Sequence, residues 1–209
     1  MPASPTPSRL RHYGREAAQL ALTLLLLAAA RSSFANHYHV PSGSMEPTLR
    51  PGDRVAVDMR AYGLRLPFTS VELVDGDAPR SGDVVVFDSP ADGERLVKRV
   101  VAVGGDRVAL HDGRLTVNGR PAQVSGWPVV ERFPAADAEL DLGRGGGPDL
   151  PPTRVPAGHV LVLGDHRGNS VDGRAFGWVR ADALYGRAVA VYYRRGEGLG
   201  WWRLRTRIE

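Results

Sequence analysis

The chain has one lysine among its 27 basic residues, and the position of that lysine suggests a catalytic base. Lys98 lies inside the apolar stretch 96–101, which is typical of a strand. A buried lysine can lose its proton and then accept one from another group, whereas arginine stays charged. The alternative is that a lone lysine falls in a strand by chance, so Lys98 needs a nucleophile before it can be given a role.

A nucleophile is available in the stretch 40–49, where Ser42 and Ser44 flank Gly43. Gly43 lets the backbone bend tightly, and two nearby prolines restrict the chain on either side. A hydroxyl held on a stiff turn can attack a carbonyl once a neutral lysine removes its proton. Taken alone, the stretch favours the simpler interpretation of a polar loop that follows an apolar segment.

Four blocks of sequence, in the same order along the chain, resemble the successive boxes of bacterial type I signal peptidases, the serine/lysine-dyad family S26. The blocks are residues 42–48, residues 51–53 with 62–63, residues 97–99 with 105–106, and residues 164–174. The resemblance spans roughly residues 40–106 and 155–192, about half of the chain. The middle and both ends of the chain lie outside it.

The resemblance implies a membrane-anchored serine endopeptidase that removes signal peptides from exported preproteins after Ala-x-Ala-type sites. Ser44 matches the nucleophile, and Lys98 matches the base that takes its proton. Ser42 matches a serine whose hydroxyl stabilises the oxyanion together with the Ser44 backbone N–H. Lys98 must then have a pKa about 2–3 units below its ordinary value. No metal or other cofactor is implied.

Three further residues are implied to support the base. Ser170 matches a serine that hydrogen-bonds the lysine and orients it. Asp172 and Arg174 match a supporting salt bridge. Without the resemblance, all three would be ordinary residues of a turn-rich loop.

The resemblance also implies small apolar pockets for the alanines one and three residues before the cut. Six residues match positions that line these pockets: Val40, Pro41, Met45, Leu49, Leu96 and Val97. Without the resemblance, they would be assigned to the hydrophobic core. The substrate is expected to add as a strand beside residues 38–41 and beside the strand before Lys98. The predicted partners are preprotein signal peptides and a phospholipid membrane.

Two positions depart from the family pattern, since His166 stands where asparagine is most common and Gly168 where an acidic residue is common. His166 beside Asp165 leaves open a serine-histidine-aspartate enzyme, although sequential residues rarely face one site. A closer alternative is a peptidase for a narrow set of substrates, such as pilus proteins of a conjugation system. A third is a non-catalytic, membrane-anchored assembly factor on the same fold, against which the retained serines and lysine argue.

Residues 17–30 contain no charge and are rich in leucine and alanine. This stretch is shorter than the about 20 residues of a spanning helix, so a cleavable signal sequence with small residues at Ala28 and Ala30 is one interpretation. If Arg31 snorkels, the helix extends to residue 35 and anchors the chain, as the resemblance implies. Arginines in the N-terminal segment then place that end in the cytoplasm and the catalytic domain on the periplasmic side of the bacterial inner membrane.

The formal net charge of +4 lies at the ends of the chain, because arginines predominate in residues 1–16 and 194–209. The body between them is nearly neutral, which argues against nucleic-acid binding and suggests that the ends contact an acidic membrane. The chain has no cysteine, which excludes disulfides and cysteine metal sites. We predict a cytoplasmic segment (1–16), an anchor (17–35), a catalytic domain (36–193) and a basic, aromatic tail (194–209), either solvated or at the membrane interface.

Outside the anchor, short apolar runs alternate with glycine-rich turns and no stretch shows a long helical period. The prediction is therefore an all-β catalytic domain built on antiparallel sheet, preceded by one transmembrane helix. A variable insertion is expected at about residues 105–155. It begins with a hairpin and continues over 126–152 as a proline- and glycine-rich loop without chemistry.

Overall fold

The structure, a computed structural model, describes residues 13, 15–23, 35–65, 72–74, 76–124 and 126–203. Residues 15–23 are helical, and residues 24–34 lie outside the described part of the chain. Among the described residues, no helix is long and apolar enough to cross a membrane. Most of the anchor predicted over 17–35 therefore lies outside what the structure describes.

The body of the protein is built from short strands. They are β1 (Ala35–His39), β2 (Arg54–Asp58), β3 (Leu64–Arg65), β4 (Glu72–Val74), β5 (Val84–Asp88), β6 (Arg95–Val103), β7 (Arg107–His111), β8 (Arg114–Val117), β9 (Arg120–Pro121), β10 (Gln123–Val124), β11 (Val130–Glu131), β12 (Ala138–Glu139), β13 (Leu150–Arg154), β14 (His159–Leu163), β15 (Val179–Arg180), β16 (Leu184–Arg194) and β17 (Gly198–Arg203). The described helical turns of the body are 3₁₀ turns at Gly43–Met45, Arg167–Asn169 and Ala181–Ala183, and a short α-helix at Gly173–Phe176.

Most of these strands pair into one large sheet. Within the described residues its order is β1-β2-β16-β5-β6-β14-β15, with β17 added to β16, and every pairing is antiparallel. The prediction of a mainly β, antiparallel catalytic domain is thus confirmed. The pairing of β17 was not predicted, because the sequence of residues 198–203 was assigned to a solvated or interfacial tail.

The strands at the centre of the large sheet are apolar on both faces. Residues 84–87 of β5 and residues 100–102 of β6 are all buried. A continuous apolar run, rather than alternation, is typical of a strand covered on both sides. Burial of a side chain the size of Phe87 contributes about 1.5–3 kcal/mol to the stability of the fold. The two strands are therefore held rigidly, and they fix the positions of the side chains that they carry.

Three strands begin after the same kind of turn, in which a glycine with positive φ precedes an aspartate. Gly52, Gly82 and Gly105 have φ of 94°, 105° and 99°, a region that residues with a Cβ rarely adopt. The carboxylate of the next aspartate accepts a hydrogen bond of 3.0 Å from the backbone N–H three residues before it. These turns fix where β2, β5 and β7 start.

The predicted insertion, about residues 105–155, forms two smaller sheets, ordered β13-β7-β8-β9 and β10-β11-β12. The prediction of a plain loop over 126–152 was wrong, since β11, β12 and the start of β13 lie there. The physical reason is packing: Phe133 and Ala138 are buried in a cluster with Val101 of β6 and Leu161 of β14. The insertion therefore folds onto the strands that carry the candidate site.

Candidate active site

Ser44, the predicted nucleophile, lies on the 3₁₀ turn Gly43–Met45, here called the nucleophile turn, and the apolar residues after this turn fix it in the core. Met45 and Leu49 are buried and share a cluster with Val55 of β2. Ser44 itself is 8% exposed, so its hydroxyl is largely shielded from bulk water. The burial of Met45 and Leu49 therefore holds the turn, and with it Ser44, in a fixed position.

Lys98 lies on β6 opposite Val85 of β5, and its Nζ is 2.6 Å from Ser44 Oγ. The hydroxyl of Ser42 donates to Ser44 Oγ at 3.3 Å. The fold thus brings together the serine and the lysine that residue type and spacing had suggested. An amine at this distance can remove the proton of the serine hydroxyl directly, without an intervening group.

Burial lowers the pKa of Lys98 from its ordinary 10.5 to about 8. The carboxylates of Asp172 and Asp165 act in the opposite direction, and Arg174 lowers the pKa further. The effect of burial dominates because the side chain is enclosed by β5 and the nucleophile turn. A depressed pKa was expected from the sequence, and it makes the neutral amine accessible at mildly alkaline pH.

The predicted salt bridge between Asp172 and Arg174 is formed. Nε and Nη2 of Arg174 each lie 2.8 Å from a carboxylate oxygen of Asp172. Asp172 also accepts from the N–H of Gly164 at 2.9 Å and caps the helix Gly173–Phe176. Burial raises the pKa of Asp172, but its hydrogen bonds and the charge of Arg174 outweigh burial and hold the pKa below its ordinary value. The charged carboxylate ties the end of β14 to the loop that follows.

Ser170 lies near Ser44, but it does not make the predicted hydrogen bond to Lys98. Its Oγ is buried and has no hydrogen-bond partner within the described part of the chain, although it is close enough to Asp172 to favour that carboxylate's charged form. A Cβ added to Gly164 would overlap Ser170 Oγ and lie 2.5 Å from the Ser44 carbonyl oxygen. Gly164 therefore allows the two serine-bearing segments to approach, a role that the sequence did not reveal.

A buried ion pair lies beside the predicted dyad of Ser44 and Lys98. Arg99 Nε and Nη2 lie 2.8 and 2.7 Å from the two carboxylate oxygens of Asp165. Thr48 Oγ1 donates to the same carboxylate at 2.6 Å, and Arg99 Nη1 donates to the carbonyl of Gly82 at 2.8 Å. Because a lone buried charge costs about 3–5 kcal/mol, this network holds β6 firmly against the nucleophile turn.

The same network removes the serine-histidine-aspartate alternative. Both carboxylate oxygens of Asp165 are engaged elsewhere. Neither ring nitrogen of His166 has a hydrogen-bond partner among the residues described. The titratable group in contact with Ser44 Oγ is the amine of Lys98.

The predicted substrate-binding residues fall into two groups. Three are buried in the cluster beneath the nucleophile turn: Val40, Met45 and Leu49. Three keep exposed surface: Pro41, Leu96 and Val97. Leu96 and Val97 point to opposite faces of β6 and pack on different clusters. The second group can contact a docked peptide without rearrangement of the core.

The pairing of β6 leaves an open edge beside Lys98. β14 pairs with β6 from residue 99 to residue 103. In the described ranges, residues 95–98 therefore pair with β5 alone. Arg95 also reaches β1, where its Nη1 donates to the Tyr38 hydroxyl at 3.1 Å. Unpaired backbone groups at a strand edge of this kind are where an extended peptide can add.

The family model described as signal peptidase, peptidase S26, matches residues 14–193 of the chain. The chain belongs to this family. A signal peptidase I from Pseudomonas fluorescens is 32% identical over 194 residues, covering 81% of this chain and 68% of the relative. One from Leptolyngbya laminosa is 30% identical over 182 residues, covering 83% and 76%. A crystal structure of a signal peptidase I from Enterococcus faecalis is 27% identical and covers 53% of this chain and 97% of its own, with a TM-score of 0.38.

Membership of the signal peptidase family makes this chain a serine endopeptidase and confirms the resemblance seen in its sequence. The matched range contains Ser44, Lys98 and the loop 164–174. In the described part of the chain, no group of histidine and carboxylate side chains is arranged to hold a metal ion.

A further contact that supports the site of this signal peptidase family member, and that the sequence did not reveal, comes from the insertion. Glu131, in the insertion, forms an ion pair with Arg167 in which both side chains are fully buried, with Arg167 Nη1 3.0 Å from Glu131 Oε1. Arg167 Nε donates to the carbonyl of Gly164 at 3.1 Å. The signal in the sequence is weak: one glutamate directly after two valines.

Proposed function

We propose that this chain removes signal peptides from exported preproteins by cutting after Ala-x-Ala-type sites, with Ser44 as nucleophile and Lys98 as general base. The observation that carries the proposal is the 2.6 Å contact between Lys98 Nζ and Ser44 Oγ in a chain of the signal peptidase family. The lowered pKa of Lys98 supports it, because a base must be neutral before it can accept a proton.

In the proposed reaction, neutral Lys98 accepts the proton of Ser44 as Oγ bonds to the carbonyl carbon of the scissile peptide. The Ser42 hydroxyl and the Ser44 N–H stabilise the oxyanion that forms. The C–N bond then breaks, and the lysine ammonium gives its proton to the leaving amine of the mature protein. Neutral Lys98 next takes a proton from water as the water oxygen bonds to the acyl carbon. The ester C–O bond to Ser44 then breaks, the lysine ammonium returns the proton to Ser44 Oγ, and the signal peptide leaves.

The supporting residues have distinct proposed roles. The Asp172–Arg174 pair holds the loop after β14 in place through the hydrogen bond from Gly164. Ser170 orients Lys98 once substrate is bound, since active-site hydrogen bonds absent from a free enzyme often form in the complex. Its buried and unpartnered Oγ, among the described residues, is consistent with that role.

The substrate is proposed to bind as an added strand along residues 95–98 of β6 and beside the end of β1. Leu96, Val97 and Pro41 then offer apolar surface to the residues before the cut, while Val40, Met45 and Leu49 shape the pockets from beneath. The open edge of β6 and the partial exposure of the first three residues support this arrangement.

A peptidase dedicated to a few substrates, such as pilus proteins, shares this chemistry and differs in substrate range. A non-catalytic assembly factor would not require the contact between Lys98 and Ser44, the depressed pKa of the lysine or the buried ion pairs around them. The intact dyad therefore favours an enzyme.

Purified protein in detergent is expected to cut a preprotein carrying Ala-x-Ala on the carboxyl side of its last alanine, because the proposed pockets, shaped from beneath by Val40, Met45 and Leu49, admit only a small side chain. Mass spectrometry of both products gives the cut site. Replacing that alanine with phenylalanine should slow cleavage at least about 100-fold, since a bulky group cannot enter a small pocket.

A matched control is the same replacement two residues after the cut, outside the pockets, which should leave the rate within about threefold. Equal cleavage of the alanine and phenylalanine substrates at that bond would contradict the proposed pockets. Cleavage of a pilus-type precursor but not of a general preprotein would favour the dedicated peptidase.

We also propose that residues 17–35 anchor the chain in the bacterial inner membrane, with the N-terminus cytoplasmic and the catalytic domain on the periplasmic side. The uncharged stretch 17–30 and the arginines before it support this orientation. The close spacing of the stretch and Ser44 would keep the nucleophile near the membrane surface, within about 35 Å of it.

The anchored chain is expected to stay with membranes after an alkaline carbonate wash and to enter solution with detergent. Its N-terminal sequence should begin before residue 31, and protease added to spheroplasts should digest the catalytic domain. A mature start at Arg31 with release by the wash would instead show that the apolar stretch is a cleaved signal sequence. Protection of the domain in spheroplasts would overturn the orientation.

A further inference from the structure

His166 lies between the nucleophile turn and the insertion. Its backbone N–H donates to the Ser44 carbonyl at 3.2 Å. On its other side it forms an isolated parallel bridge with Asp141. In that bridge Asp141 N–H donates to Asp165 at 3.0 Å, and its carbonyl accepts from Arg167 at 3.1 Å. His166 therefore touches both the segment that carries the nucleophile and a segment that the sequence had assigned to a plain loop.

The His166 ring is enclosed by two carboxylates. Its Nδ1 is 3.6 Å from Glu46 Oε2 and 3.6 Å from Asp141 Oδ2. The residue is 6% exposed, and within the described chain neither ring nitrogen has a hydrogen-bond partner. A buried donor without an acceptor is unfavourable, and hydrogen bonds form at about 2.7–3.2 Å. A movement of a few tenths of an ångström would bring Nδ1 within hydrogen-bond distance of either carboxylate.

The two carboxylates differ in how firmly they are held. The other oxygen of Asp141 accepts from the N–H of Gly143 at 2.7 Å, so this carboxylate is fixed within the insertion. The Glu46 carboxylate folds back over the turn, where a Cβ added to Gly43 would overlap its Oε2. Any shift of Glu46 toward the ring therefore acts on the turn Gly43–Met45, which carries Ser44.

We propose that His166 is a positioning residue that bridges Glu46 and Asp141 and thereby fixes Ser44 relative to Lys98. Asp141 is the fixed end of the bridge, and Glu46 is the end that moves with the nucleophile turn. The bridge links the insertion to the reaction, although the insertion supplies no reacting group. This inference rests on the proposed role of Ser44 as nucleophile.

The first test compares two substitutions at one position. His166→Asn keeps a donor at the position of Nδ1, and His166→Leu has a side chain of similar branching without a donor. We expect His166→Leu to lower kcat by about 10- to 100-fold with KM within about twofold, because misplacement of a reacting group by 1 Å or less has effects of this size. His166→Asn should stay within about fivefold of wild type. Thermal unfolding of each variant reports whether the fold is intact.

The second test measures coupling between the two carboxylates through kcat in a double-mutant cycle. Glu46→Gln and Asp141→Asn should each lower kcat several-fold, and their combination should cost little more than the worse single change. In the His166→Leu background both changes should be close to neutral. The cycle tests the bridge even if His166→Leu does not fold, because the two single variants and their combination can be compared in the protein with its natural histidine.

Three results would overturn the bridge: unchanged kcat in folded His166→Leu, equal losses in the asparagine and leucine variants, or independent effects of Glu46→Gln and Asp141→Asn. Failure of the proposed function looks different. In that case Ser44→Ala would retain activity, whereas failure of the bridge alone leaves Ser44→Ala inactive and the His166 variants active.

Discussion

Ser44→Ala is expected to lower kcat/KM for a signal-peptide substrate by about 10⁴-fold or more. The change removes the atom that attacks the scissile carbonyl, and the remaining oxyanion donors and binding groups give only residual catalysis. Substrate binding should persist, because the open edge of β6 and the apolar residues beside it are unchanged. Single-turnover assays with an inactive variant of this kind should therefore show a bound but uncut preprotein.

Ser89→Ala is the matched control. Ser89 is also a buried serine, in a turn between β5 and β6, where its Oγ accepts a weak hydrogen bond of 3.3 Å from the N–H of Ala91 and favours the charged form of the Asp92 carboxylate. Activity should stay within about twofold of wild type, with unfolding free energy changed by about 1 kcal/mol. If folded Ser44→Ala kept a tenth or more of the activity, another residue would be the nucleophile. Ser42 would then be the first residue to mutate.

The parts of this structure that the sequence predicted are those set by local chemistry. The alternation of apolar runs with glycine-rich turns is an example: the turns at 51–53 and 81–83 each contain a glycine that adopts positive φ and an aspartate that closes the turn, and β2 and β5 start directly after them. Ser44 and Lys98 were visible because a lone lysine in an apolar strand and a serine on a stiff turn are unusual residue choices. Each of these signals lies within a few neighbouring residues.

The parts that were missed depend on residues that are distant in sequence. Glu131 and Arg167 are 36 positions apart, and nothing in the local pattern at either residue specifies the other. The same holds for the packing of Phe133 on β6 and β14, which turned an expected loop into a folded insertion. Composition alone indicates a loop here because proline and glycine weaken local preference, but burial of a few apolar side chains is sufficient to order it.

The sequence also could not predict which side-chain atoms of the site contact one another. The resemblance placed Ser170 at the lysine, yet in this structure its hydroxyl does not hydrogen-bond Lys98. It likewise matched Met45 and Leu49 to a substrate pocket, but did not indicate that both are almost fully buried and can therefore shape such a pocket only from beneath. A motif specifies which residues are near one another, and packing decides which of their atoms meet.

Lys98→Met is expected to abolish turnover and, at neutral pH, to stabilise the fold. Methionine has nearly the same length without a titratable group, so no base remains to accept the proton of Ser44. In the wild-type protein the rate should rise with pH through the lysine pKa of about 8, because only the neutral amine is competent. The variant should show no such rise, and its rate should fall by about 10⁴-fold.

The stability change follows from proton linkage. The pKa of Lys98 is about 8 in the folded protein, compared with the ordinary lysine value of 10.5 that applies to the unfolded chain. Between these two pH values the unfolded chain binds a proton at Lys98 that the folded protein does not. Burial of the lysine therefore lowers the free energy of unfolding by its full amount below pH 8, and this destabilisation disappears as pH rises toward 10.5. At about 1.36 kcal/mol per pKa unit, burial of Lys98 costs about 3 kcal/mol of stability. Lys98→Met removes this cost, but it also removes the hydrogen bond to Ser44, which offsets about 1 kcal/mol of the gain in stability.

Lys98→Met should thus raise the unfolding free energy by about 2 kcal/mol at pH 7, and the difference from wild type should shrink or reverse above about pH 10. Urea titrations of both proteins at several pH values measure this difference, in which the titration of all other groups cancels. Arg99→Met on the same strand is the control of opposite sign, because it leaves Asp165 buried and unpaired and should lose about 3–5 kcal/mol. A Lys98→Met variant that is less stable than wild type at pH 7, or a rate that rises near pH 6 instead of 8, would show that the buried lysine is not the strained base on which this mechanism depends.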